Sequence, residues 1–252
     1  WRDYRPGMSM GPWGLHYERT STWWELAGPW HEYLARCQQM LRQGTFVADI
    51  CYLQPEASPQ EFRGHERKGY EYDLGTAEAV LTRMSVKDGR IVLPDGMSYR
   101  VLVLPETMRM TPALLRKVGE LAAAGATIAG PVNGPAKAPG LTDYPACDEE
   151  VARLAGDLWD GGKIVTGKTA EEVLAGGGVR PDFTAPSFVR WIHRRTEGAE
   201  IYFVASNSPR PREVACEFRV DALKPEFWRP ETGGIEPVAV YEQAGGTTRI
   251  PI

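Results

Sequence analysis

The chain has 252 residues, a formal net charge of −4, 42% hydrophobic residues and 25% charged residues. That balance fits a folded globular chain of one large or two ordinary domains and excludes a disordered one. No basic stripe is present, which argues against nucleic acid, and no apolar run approaches the roughly 20 residues of a membrane helix.

Pro6 and Gly7 mark a turn in an otherwise irregular start. Residues 11–25, GPWGLHYERTSTWWE, are the densest mixed stretch, with Trp13, His16, Tyr17, Glu18, Arg19, Trp23 and Trp24. Aromatic faces cover the C–H side of a ring while charged groups meet its hydroxyls, so the mixture suits a polar, ring-shaped ligand. A buried Trp pair at the start of an amphipathic helix reads the same residues equally well. The spacing predicts a helix from about Thr20–Thr22 to Gln43, with Ser21 or Thr22 as N-cap and Glu25 closing a capping box. Pro29 is expected to kink or split it, and Gly44 to end it.

FVADICYL, 46–53, reads as one strand buried on both faces, followed by a long polar loop from Gln54 to Asp73. A helix is expected over 76–84 and a hairpin turning at Asp88-Gly89. A second buried strand follows at 99–105, then a helix over 111–125 with Thr111 as N-cap and Pro112 at its first position, and a third strand over 126–130. This βαβ rhythm predicts an open parallel sheet covered by helices. Helices at DEEVARLAGDLW and TAEEVLAGG flank a short strand at KIVTG. From 183 onward, apolar and polar residues alternate as in antiparallel β, with turns at Gly198, SNSPRP and Gly245-Gly246.

The strands of the parallel sheet end in Gln54-Pro55, Pro105-Glu106 and Gly130-Pro131, which offer no nucleophilic Ser or Cys at an elbow. No GxGxxG or P-loop follows a strand. Cys37, Cys51, Cys147 and Cys216 form no CxxC pair, and Cys37 and Cys51 are expected as buried free thiols. Paired carboxylates remain as the chemistry, with Glu18, Glu25, Glu56 and Asp73 as groups able to lie near a ligand. His16 is the best ligand candidate among the histidines. His31 reads as structural, His65 as solvated, and His193 as a cross-strand partner ahead of a site residue. The chain starts on Trp1 without Met and stops in TRIPI, which suggests a piece of a longer protein.

PGMSMGPWGLHYERTSTWWE, HEYLARCQQMLRQGTFVADICYLQPE and VLTRMSVKDGRIVLPDGMSYRVLVLPE resemble the C-terminal half of glycoside hydrolase family 106, whose members are α-L-rhamnosidases; WIHRRTEGAEIYFVASN and PEFWRPETG fit the same family. The resemblance implies an α/β architecture in which residues 1–45 are the last loop and helix of a (β/α) barrel. Residues 46–178 would be a flavodoxin-like domain similar to class I glutamine amidotransferases but without a nucleophile, and 179–252 a truncated antiparallel β-sandwich. It implies inverting hydrolysis of terminal rhamnosyl residues, with Glu18 as the catalytic carboxylate and Trp13, His16, Arg19, Trp23 and Trp24 as sugar contacts. Calcium enters as a family-implied cofactor without assigned ligands. The expected partners are a rhamnose-containing glycan and the missing N-terminal barrel part; the isolated chain is expected to be inactive, and the full protein secreted or periplasmic. Another barrel glycosidase of β-galactosidase type, and a non-catalytic carbohydrate-binding or assembly module, are the alternatives.

Overall fold

The computed structural model describes residues 22–58 and 65–252. They form a mixed α/β structure with one parallel sheet and several antiparallel sheets, divided into two compact units: residues 1–43 with 222–240, and residues 44–221 with 241–252.

In the first unit a 3-10 turn, Trp24–Leu26, precedes helix α1, Gly28–Leu41. Pro29 lies in the first turn of α1, where its missing N–H costs nothing, so the break expected at Pro29 falls just before it. The expected capping box does not form. Glu25 sits inside the 3-10 turn, and the caps are Trp23 and Ala27, neither with a side-chain hydrogen bond.

The expected single strand 46–53 is two strands in different sheets. Strand β1, Thr45–Phe46, pairs antiparallel with a later strand at Arg194–Arg195, and β2, Ile50–Leu53, enters the parallel sheet. The switch is made at Asp49, which is 2% exposed. A charge inside the apolar run is the sequence mark of that switch. Gly44, at φ +53, makes the turn into β1, where a Cβ would stand 1.9 Å from the Arg195 carbonyl oxygen.

The end of the expected loop is a strand. Tyr72–Gly75 forms β3, parallel to β2, and Tyr70 and Glu71 before it are buried. Its polar residues hid it, because an edge strand is solvated along one side. Helix α2, Ala77–Arg83, is capped by Thr76, and β4, Ser85–Lys87, turns through Asp88-Gly89 into β5, Arg90–Val92. Both turn residues have positive φ, 52° and 72°, as a two-residue hairpin turn requires. After β6, Ser98–Tyr99, come β7, Val101–Val103, helix α3, Pro112–Ala123, β8, Thr127–Gly130, α4, Ala146–Trp159, β9, Val165–Thr166, and α5, Ala170–Gly176. Thr111 caps α3, and Thr169 with Glu172 forms a capping box on α5.

The parallel sheet runs β3-β2-β7-β8-β9, so its strands in chain order stand 2-1-3-4-5, a doubly wound arrangement. Alternate residues serve opposite faces. Cys51, Leu53, Leu102 and Ile128 meet Val80 of α2, Leu114, Leu115 and Val118 of α3, and Val151 of α4. Ile50, Val101 and Ala129 meet Ala170 and Leu174 of α5. Each fully buried aliphatic side chain here contributes about 1.5–3 kcal/mol.

The antiparallel part adds β10, Phe183–Thr184, β11, Val189–Arg195, β12, Glu200–Ser206, β13, Ala215–Phe218, β14, Glu226–Trp228, β15, Ile235–Pro237, β16, Glu242–Ala244, and β17, Thr247–Pro251. The sheets are β1-β11-β12, β10-β13-β17-β16 and the hairpin β14-β15. Val189, Trp191 and His193 are the buried face of β11. Trp191 lies 5.2 Å from Phe183 between ring centroids, and Phe218 lies 5.1 Å from Phe183 and 4.9 Å from Tyr202, forming the aromatic core of this part.

Candidate functional site

The densest ionisable cluster among the described residues starts at Asp49. Its Oδ1 accepts from Arg100 Nε at 3.0 Å and its Oδ2 from an Arg219 terminal nitrogen at 2.7 Å. The same Arg219 nitrogen lies 3.1 Å from Asp182 Oδ1. Asp182 Oδ2 is 2.8 Å from His193 Nδ1, His193 Nε2 is 2.7 Å from Glu200 Oε2, and Glu200 Oε1 accepts from Arg195 Nε at 2.6 Å. Basic and acidic side chains thus alternate from Arg100 to Arg195. The Tyr202 ring, directly opposite His193 in the β11–β12 register, stacks on the imidazole at 3.9 Å and donates its hydroxyl to Asp182 at 3.1 Å.

Burial works against a charged imidazole at His193, but the hydrogen bonds to Asp182 and Glu200 outweigh it and raise its pKa. Burial likewise opposes ionisation of Glu200, and the bonds from His193 and Arg195 reverse that and lower it. Burial pushes the Tyr202 hydroxyl far up, so it stays a donor. A histidine oriented by an aspartate looks like half of a catalytic relay. Here its other nitrogen faces Glu200 in place of a nucleophile, and the ring is 0% exposed. General acid–base work requires contact with substrate. The cluster joins the entry of the parallel sheet to β11, β12 and the segment after β13; its work is structural. The cross-strand reading of His193 therefore holds.

A different carboxylate stands beside it without such support. Glu71 is 1% exposed, and among the described residues neither oxygen has a well-aligned hydrogen bond, although Arg67 Nε lies 3.1 Å from Oε2. Burial raises its pKa to about 7.

In doubly wound sheets, ligands bind beyond the strand C-termini at the point where strand order reverses, here between β2 and β7. That position is taken by the chain itself. Glu56, just after β2, accepts from the Thr111 backbone N–H at 2.7 Å and from its hydroxyl at 2.9 Å, placing a carboxylate on the N-terminus of α3. Cys51 lies within the strand, 1% exposed, and burial followed by the Asp73 charge pushes its thiol up to about 12. Such a thiol is inert. Asp73 itself accepts from the Tyr99 hydroxyl at 2.8 Å. Cys37 is only half-buried, short of the burial expected for it. His65 is exposed yet stacks on Tyr52 at 3.6 Å between centroids, so it is not merely solvated. A cavity of about 250 Å³ lies among Arg180, Thr184, Glu217 and Thr247, and the Arg180 guanidinium is engaged with the Gly245 carbonyl.

Trp13, His16, Glu18 and Arg19 lie outside the described residues. Of the expected sugar contacts, Trp23 is half-buried and Trp24 is 37% exposed at the start of the 3-10 turn. His31 lies exposed on α1. Among the described residues no three His, Cys, Asp or Glu side chains converge as a metal-holding group, so the calcium implied by resemblance finds no donor set among them. The seam of Asp49, Asp182, Glu200 and Arg219 was not singled out from the sequence. Its one readable signal was Asp49 inside an apolar run.

Residues 2–243 match the glycoside hydrolase 106 family, described as alpha-L-rhamnosidase. A protein of Formosa agariphila named "Putative beta-glucuronidase" is 38% identical over 99% of this chain and 22% of its own length. The solved structure of a rhamnosidase from Novosphingobium sp. PP1Y is similar at a TM-score of 0.87 and 30% identity, over 99% of this chain and 25% of that one. Alpha-L-fucosidase isoenzyme 2 from Paenibacillus thiaminolyticus shares the fold alone, with a TM-score of 0.53 at 11% identity over 91% of this chain and 50% of that one. The chain thus spans roughly a quarter of the length of the first two relatives.

Proposed function

The chain belongs to glycoside hydrolase family 106, described as alpha-L-rhamnosidase, and from that membership we propose that it is the C-terminal part of a longer enzyme that removes terminal α-L-rhamnosyl residues from a glycan. The observation that carries the reading is the near-complete overlap with the Novosphingobium rhamnosidase, 99% of this chain at a TM-score of 0.87. In this reading residues 1–45 supply the last loop and helix of a (β/α) barrel. The doubly wound strand order supports a flavodoxin-like domain over 46–178, and the plugged crevice at Glu56 agrees with its carrying no chemistry. Residues 179–252 complete the piece as β-sandwich strands.

Catalysis then belongs to the opening stretch together with residues outside this chain. Inverting hydrolysis takes one carboxylic acid to protonate the leaving oxygen and one carboxylate to activate water, about 6.5–9.5 Å apart. Glu18 takes one of these roles, and Trp13, His16, Arg19, Trp23 and Trp24 hold the sugar. The name of the Formosa relative favours a second substrate, a β-glucuronide.

The test uses the full-length gene product on aryl α-L-rhamnoside and aryl β-D-glucuronide, with the anomer released followed by NMR. Turnover of the rhamnoside with inversion is expected, and Glu18→Gln should cut kcat about 10²–10⁴-fold, the usual contribution of a general acid or base. Turnover of the glucuronide alone would replace the substrate, and unchanged kcat in Glu18→Gln would remove that residue from the chemistry.

A further inference from the structure

Hairpin β14-β15 and helix α1 belong to a unit whose described residues form almost no interior. Among its described residues only Ala27 and Val238 are buried. No residue of α1 is buried, and β15 is exposed along its length. A two-stranded hairpin is marginal in water without a third layer, and a helix of this length draws most of its stability from packing. Yet the hairpin is held in a definite place. The Arg36 guanidinium donates to the Pro230 and Glu231 carbonyls at 2.9 and 3.1 Å while pairing with Glu32 on its own helix.

The two faces of the hairpin differ. On one, Phe227 is covered by Arg229, whose guanidinium lies 4.8 Å from the ring, and Arg229 pairs with Glu236. On the other, Trp228 and Ile235 stand directly opposite each other in register and are 51% and 54% exposed. Glu226 and Pro237 flank them as the next pair on that face, and Glu226 Oε2 is occupied by the Trp228 indole N–H at 3.1 Å. The face therefore offers a large apolar pair beside a carboxylate that holds the indole N–H through one of its oxygens.

We propose that the Trp228–Ile235 face is an intramolecular docking surface for the portion of the longer polypeptide outside this chain. This rests on the reading of the chain as part of such a polypeptide. The occupant follows from extent: the match covers 99% of this chain but 22% and 25% of its two long relatives, so most of the molecule is not among these residues. The surface chemistry agrees. An aromatic–aliphatic pair whose indole N–H is already bonded within the hairpin fits an apolar protein surface, and a glycan is the competing occupant that the test separates.

The test places a photo-crosslinker in the full-length gene product as Trp228→benzoylphenylalanine, with Ile235→benzoylphenylalanine as the second variant should the first not fold. Products are mapped by mass spectrometry. Crosslinks to peptides outside residues 1–252, in species of unchanged mass on a denaturing gel, are expected. Crosslinks confined to residues 1–252, species of doubled mass, capture only of added glycan, or no protein crosslink at either position would each overturn the proposal. Rhamnosidase activity of the same samples reports separately on the proposed reaction, so one can fail while the other stands.

Discussion

The two units treat burial in opposite ways. Residues 44–221 with 241–252 enclose their own core and bury ionisable groups within it, among them Asp49, Asp182 and His193. The described residues of 1–43 with 222–240 leave Leu26, Trp228, Ile235 and Val240 exposed, and Arg36 of the helix holds the hairpin end. Buried charges demand exact partners, so the unit of residues 44–221 with 241–252 specifies its own arrangement. Exposed apolar pairs specify nothing until a partner arrives. The same chain therefore contains a self-sufficient scaffold and a surface suited to a partner.

The sharpest way to break this contrast is at Arg219. Arg219→Met leaves Asp49 and Asp182 buried without their shared cation, and a loss of about 3–5 kcal/mol is expected in urea denaturation at pH 7. A loss under about 1 kcal/mol would mean that the seam does not organise the unit.

Next in size is Glu71→Gln. The Glu71 carboxyl is raised from 4.5 to about 7 on folding, so its protonated form is the one the fold favours. Its contribution is present at acid pH. It is lost from about pH 4.5, where the unfolded carboxyl ionises, to about pH 7, where the folded one does. Removing the charge should therefore stabilise the protein by about 3 kcal/mol at pH 8 and change little at pH 4. His193 adds to the same slope. Its pKa is raised by Asp182 and Glu200 against the cost of burial, so its contribution is full below the unfolded value near 6.5 and falls as pH rises through the folded one. A thermal midpoint independent of pH between 6 and 9 in the parent protein would contradict both.

The smallest effect belongs to the open unit. Arg36→Met should cost under about 1 kcal/mol of global stability, since its ion pair is half-exposed. It should nevertheless speed amide exchange at Arg229 and Gly233, the amides that close the hairpin end. Unchanged exchange there would show that the hairpin is positioned by something other than Arg36.

Periodic elements with local punctuation were readable from the sequence. Helix α3 announced itself by Thr111 and Pro112, and the hairpin of β4 and β5 by Asp88-Gly89. Features set by distant partners were not. Strand β3 carries Asp73 because Tyr99, far along the chain, satisfies it. The split of 45–53 depends on Arg100 and Arg219 receiving Asp49, and no spacing rule joins those numbers. At the candidate site, the mixed stretch 11–25 was legible as composition, and a substrate contact cannot be read from residue types alone. Trp24 stands where such a stretch would begin to fold into helix.

The run from Thr45 to Leu53 also has a mechanical meaning. It starts in an antiparallel sheet beside Arg194 and ends between two parallel strands, with Asp49 gripped from both sides midway. Tension applied at Gly44 would load the β1–β11 bonds first, then the two ion pairs, and then the β2 bonds in shear along the strand. Three successive fasteners on one short rope make this segment hard to draw out of the two sheets it joins.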